Sequence, residues 1–128
     1  MAKLAPLNDP FALGQIQALN SYLCSTVHPA HAHRMRGYRW SDDAAVIEAM
    51  KIKVPQNMSD CFAVIENDYF KGPFVIGDNF SIADIYLYTV ATWLEGDGVD
   101  ATLFPGIIGH RNRMEQRAAV KKVPAAYA

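Results

Sequence analysis

The segment FSIADIYLYTVATWLEG, Phe80 to Gly96, limits the fold more than any other part of the chain. From Ile82 to Leu94 its helical projection is apolar almost all the way round, and a helix without a polar face has to be surrounded by other elements. Ser81 followed three residues later by Asp84 predicts a capping box, in which hydroxyl and carboxylate each close a free backbone N–H of the first turn. Phe80 and Ile85 take the two positions of a hydrophobic staple across it. An Asp inside so apolar a helix is costly unless it meets such donors. Ser81 and Asp84 are therefore assigned to structure, and replacing Asp84 with Ala is expected to cost ~1 kcal/mol or more, the size of a lost cap. The segment predicts the buried central helix of a bundle.

The surrounding sequence supplies the rest of the bundle. Asp9 can cap a helix that has Pro10 at its first position. Leu13, Ile16, Leu19, Leu23 and Val27 then form one apolar face. At about 100° per residue, Ser21, Ser25 and His28 fall opposite it. That second face is small, polar and almost uncharged as far as Arg34, which suits the wall of a groove better than open solvent. Pro29 should bend this helix, and Gly37 should end it. A second helix is expected after Ser41 or Asp42, running to about Phe70 with a kink at Pro55. Its apolar positions are Ile47, Met50, Val54, Met58, Cys61, Ile65 and Tyr69. Gly72-Pro73 stops it. Beyond the central helix, Gly96 and Gly98 make a bend, and Phe104-Pro105 opens a fourth helix carrying Ile107, Ile108, Arg111 and Met114. A short last element, AAVKKV, follows Arg117. No stretch alternates as a strand would. The fold class is all-α, a kinked bundle of about five helices.

With 128 residues, 51% of them hydrophobic and 20% charged, the chain suits one soluble domain with a proper core. A net charge of −1 gives no global field that would draw it onto nucleic acid or an anionic membrane. Cys24 and Cys61 lie among apolar neighbours and are expected as buried thiols in a reducing compartment. No leader and no membrane-spanning run is visible, so a cytoplasmic location is expected.

One stretch asks for a function. STVHPAHAHRMRGYRW, Ser25 to Trp40, holds three histidines and three arginines without a carboxylate. A metal reading is weak, because Pro29 disturbs the turn between His28 and His31 and no carboxylate or cysteine nearby in sequence completes a set. A nucleic-acid reading would use Arg34, Arg36 and Arg39 with Tyr38 and Trp40. The cluster is too short, in too acidic a chain, to favour it. A solvated basic helix end and a cleft wall stay open.

FSIADIYLYTVATW, followed by EGDGVDATLFPGIIGHRNRMEQRAAV, closely resembles the C-terminal helical domain of bacterial, beta-like glutathione transferases. The Ser-Ile-Ala-Asp box, the Phe-Pro step and the Arg-Met-x-x-Arg-x-Ala-Val ending carry the resemblance, and SYLCSTVHPAH matches the first helix. Ala118 departs from the family's usual proline, and His33-Arg34 from a more apolar Pro-Leu pair. The resemblance implies a linker remnant over 1–9 and a helical domain over 10–128. It places His28 toward the cleft and Trp93 on the central helix, lining the pocket for the electrophile, with Ser21 and Ser25 in the wall. Trp93 could equally be a core aromatic.

The family's thioredoxin-like domain, which binds glutathione and acts on its sulfur, has no counterpart in these residues. The resemblance therefore implies no catalytic residue in this chain, no metal, and no cofactor bound by it alone. Glutathione is expected for the complete enzyme. The implied partners are a second copy of the chain, a thioredoxin-like domain or chain, and a small electrophile once the site is completed. The other readings are a stand-alone helical interaction module and one half of a split glutathione transferase.

Overall fold

Helix α1 begins where Asp9 and Pro10 predict it: Asp9 accepts a hydrogen bond from the Ala12 N–H (3.0 Å), and Pro10 takes the first helical position. The computed structural model describes residues 4–127, with side chains as far as Val123, so residues 1–3 of the expected linker and residue 128 of the expected domain lie outside it. α1 spans 10–32 in three pieces: α-helical Pro10–Tyr22, a π turn Leu23–Val27, and α-helical His28–Ala32. In the π turn the His28 N–H reaches back five residues to the Leu23 carbonyl. Pro29 has no N–H to give, and the wider turn ahead of it lets the helix run on. The helix ends at Ala32, earlier than Gly37, because the Arg34 N–H bonds the His31 carbonyl and tightens the last turn. Gly37 serves a close approach instead, since a Cβ there would stand 3.0 Å from Ile47 Cγ2.

Helix α2 spans 44–69, as Ala44–Val64 followed by a π turn Ile65–Tyr69. Its cap is Asp43, one residue later than expected. The Asp43 carboxylate accepts from Ala45 N–H (2.8 Å), while Ser41 accepts from Asp43 N–H. Pro55 lies inside the helix. Helices α3 (Ile82–Ala91), α4 (Pro105–Glu115) and α5 (Ala118–Tyr127) complete a five-helix bundle. Among the described residues the only extended pairing is a single bridge between Phe74 and Gly77.

The core is contributed by α1 (Ile16, Leu19, Leu23, Val27), α2 (Val54, Met58, Phe62, Ile65), α3 (Leu87, Val90) and α4 (Ile107), all at most 1% exposed. Burying each such side chain contributes about 1.5–3 kcal/mol. Two expectations need correction. α3 is shorter than Ile82 to Leu94, ending at Ala91, where the Trp93 N–H bonds the Val90 carbonyl and tightens the chain into a run of turns. Nor is it buried all round: Ile82 and Ile85 are 39% and 45% exposed, on a flank left open beside α5. Phe80 and Ile85 line the same groove there. Cys61 is buried as expected, but Cys24 is exposed, because it falls off the apolar stripe of α1.

The capping box forms. Asp84 accepts from the Ser81 N–H (2.8 Å), and Ser81 Oγ accepts from the Ala83 N–H (3.3 Å). Asp84 also takes the Val75 N–H (2.9 Å) from the preceding connector and His110 Nε2 (2.9 Å) from α4. Its carboxylate thus ties three segments together in the core.

Candidate functional site

The last turns of α1 face the run of turns that follows α3. Trp93 sits there, half-buried, just past α3 and not on it. His31 stacks on its indole (centroids 4.1 Å apart, planes 17° apart), and His28 approaches at an angle (5.2 Å, 61°). His28 Nδ1 is 3.4 Å from the Tyr86 hydroxyl on α3. Burial pushes the Tyr86 phenol above its ordinary pKa, with Cys24 adding to the effect, so the hydroxyl stays neutral beside the imidazole. His28, His31, Trp93, Ala32, Met35 and Arg36 together line a concavity of about 280 Å³.

Asp97 fixes this arrangement from below. It lies in the bend made by Gly96 and Gly98, with Gly98 at φ +79, and its side chain has no exposure. Its two oxygens stand 2.7 and 2.9 Å from His31 Nδ1. Arg34 Nε is 3.2 Å from Oδ1, placed as an ion pair without the alignment of a hydrogen bond, while its terminal nitrogen donates to the Gly96 carbonyl. A carboxylate holding Nδ1–H selects one tautomer and turns Nε2 outward, toward the accessible side of the ring.

The structure brings together two of the four pocket residues expected from sequence, His28 and Trp93. Ser25 lines a neighbouring concavity of about 460 Å³, with Tyr22, Pro29, His33, Asn57 and Asp60. Its hydroxyl donates to the Ser21 carbonyl (2.7 Å), so it is engaged with its own helix. Ser21 is exposed and lines neither concavity. His33 turns away to meet Trp40 edge-on (4.4 Å). Sequence reasoning missed Asp97 and the role of His31, since the two lie 66 positions apart. The signal available was weak: a lone Asp between two glycines, after a helix carrying the tryptophan.

The largest concavity, about 590 Å³, lies away from the histidines, between α3 and α5. Its walls are chiefly apolar (Phe80, Ile85, Met114, Val120, Val123), and the Thr89 and Thr92 hydroxyls in it donate to backbone carbonyls. Arg117 lies over the Phe80 ring at 3.7 Å. Size alone does not make it the site, because no group with acid–base chemistry opens into it beyond a phenol and a guanidinium. Among the described residues no group of three His, Cys, Asp or Glu side chains could hold a metal ion, and no helix is long and apolar enough to cross a membrane.

The model of the glutathione S-transferase C-terminal domain family matches residues 30–118. The chain belongs to this family. Among solved structures, a glutathione transferase homolog from Sulfitobacter, with bound glutathione, is 43% identical with a TM-score of 0.94. That match covers 97% of this chain and 59% of the Sulfitobacter protein. A glutathione transferase from Methylococcus capsulatus is 26% identical, with a TM-score of 0.74, over 96% of this chain and 58% of its own. BphK, a bacterial glutathione transferase solved as a ternary complex, shares the fold at 24% identity and a TM-score of 0.78, over 96% of this chain and 58% of its own. No curated protein matches the chain. This glutathione S-transferase C-terminal domain thus spans about three fifths of the solved relatives it resembles.

Proposed function

We propose that this glutathione S-transferase C-terminal domain supplies the wall of the pocket for the second, electrophilic substrate, while a thioredoxin-like domain or chain holds glutathione and activates its thiol. The observation that carries the reading is the 43% identity, over 97% of this chain, to a homolog solved with glutathione bound. The convergence of His28, His31 and Trp93 supports it, because an aromatic platform edged by imidazoles can hold a planar electrophile in line with an incoming sulfur. His28 and Trp93 are the proposed pocket residues; the serines are left out, Ser25 because its hydroxyl is engaged with α1 and Ser21 because it lines neither concavity. The proposed setting is the cytoplasm, and self-association into a dimer is part of the reading.

The test is calorimetric titration of the 128-residue chain with reduced glutathione, paired with a conjugation assay on an aromatic halide. We expect no saturable heat and no conjugation from the chain alone, and conjugation on adding a thioredoxin-like domain such as that of the Sulfitobacter homolog. Saturable binding that disappears in His28→Ala would place a glutathione site within the helical domain and overturn the division of labour.

A second reading, a helical interaction module, draws on the exposure of Leu7 (78%), Phe11 (75%), Met35 (72%) and Ile52 (71%). Sedimentation velocity separates it, since a monodisperse monomer that binds no hydrophobic dye argues against any apolar docking face.

A further inference from the structure

The concavity at the end of α1 carries a sign as well as a shape. Six residues line it, and the charged or chargeable ones, His28, His31 and Arg36, are all basic. The nearest carboxylate, Asp97, is fully buried beneath, with both oxygens turned to His31 and Arg34. Its charge is therefore met from within the fold and is not presented to the pocket. Arg36 is exposed and makes no ion pair with any described residue. A guanidinium at the rim of a pocket is a fork for two oxygens held in a plane. The indole of Trp93 and the imidazole stacked on it form a flat floor, and Met35 adds a soft apolar edge. At about 280 Å³ the space falls just under the ~300–1,000 Å³ of ordinary small-molecule pockets, which suits a single-ring ligand.

We infer that this pocket takes a planar carboxylate, its conjugated or aromatic body against Trp93 and His31 and its carboxylate on Arg36. Asp97 acts as a positioning residue, holding the His31 ring flat in the floor. The inference rests on the reading of this cleft as the second-substrate pocket and narrows that substrate to electrophiles bearing a carboxylate on an unsaturated or aromatic frame.

The experiment uses benzoate as probe and benzamide as its neutral counterpart of the same shape. The binding is followed on the full chain by NMR through the Trp93 indole N–H and the His28 and His31 rings. Benzoate is expected to shift these signals saturably and to bind about tenfold more tightly than benzamide, the scale of a charge-assisted fork. Arg36→Gln, at an exposed position and checked by its melt, is expected to bring benzoate down to the benzamide level while leaving benzamide unchanged. Equal affinity for the two probes, or benzoate binding indifferent to Arg36→Gln, overturns the inference, and so does the absence of any shift with either probe in the folded chain. Each of these failures leaves the broader reading to its own assay, because conjugation of a neutral aromatic halide by the completed enzyme does not involve a carboxylate.

Discussion

Asp84 shows how much one side chain can hold. It accepts from the Val75 N–H, the Ser81 N–H and hydroxyl, and His110 Nε2, and its removal would orphan buried donors on three segments. Asp84→Ala is therefore expected to cost about 3–5 kcal/mol in a urea melt, well beyond a lost cap, because a buried pair is broken from one side. A loss near ~1 kcal/mol, the size of a cap alone, would mean that water replaces His110 as a partner. The cap was legible in sequence since both halves of the box lie three residues apart. The Val75 and His110 contacts, 9 and 26 positions away, leave no local trace. The thiols were misread for a related reason: neighbours in sequence suggested burial for both, but only the phase of the helix decides. Cys61 is buried, and burial, the largest influence, pushes its thiol above the ordinary value; Tyr22 hydrogen-bonding opposes and Asp60 adds to the rise. With Cys24 exposed, a disulfide reagent at neutral pH should titrate one thiol rapidly in the native chain and the second only on unfolding.

At the scale of the element, the helices were readable because a 3.6-residue period repeats often enough to average out exceptions. Their ends were less so, being set by single contacts with distant parts of the chain. α4 is an example. Phe104 gives no side-chain cap, and the Gly106 N–H is taken instead by Glu66 from the π turn of α2, 2.5 Å away and 40 positions earlier. Glu66→Ala is expected to lower stability by ~1–2 kcal/mol, the size of a lost cap, seen as an earlier thermal midpoint. The bend before α4 depends on Gly98, whose positive φ disfavours any side chain and whose Cβ would meet Pro55 Cγ at 3.2 Å. Gly98→Ala should cost at least ~1–2 kcal/mol for the left-handed backbone alone, and should disturb Asp97 and His31 with it. Unchanged stability in the Gly98→Ala variant would mean that the bend has another conformation available.

For the molecule as a whole, the bundle was foreseeable and the candidate site only partly so. A site assembled from α1 and a bend some sixty residues later depends on how helices cross, which periodicity does not encode. The α1–α2 contact also sets an alkaline limit. Burial first, then hydrogen bonding to Cys61 and nearby negative charge, pushes the Tyr22 phenol well above its ordinary 10.0, and Cys61 is raised from 9.0. Both groups stay protonated in the native state where the unfolded chain ionises. Their contribution is thus complete below about pH 9, the ordinary thiol value, and is lost as pH rises beyond it. Melts from about pH 7 to 11 should show a midpoint that is level at first and falls above about 9, with the fall reduced in Tyr22→Phe. The π turn at Leu23–Val27 has a consequence of another kind. A π turn holds one residue more than the α-helical turn it replaces, so deleting a single residue there would restore a plain helix and swing everything after it by about 100°. His28, His31 and Arg34 would leave the cleft as a group, while Ile16 and Leu19 kept their places in the core. Chain length between the core stripe and the histidines is then a specificity determinant in its own right, one that substitutions do not reach and that a single codon's loss would erase.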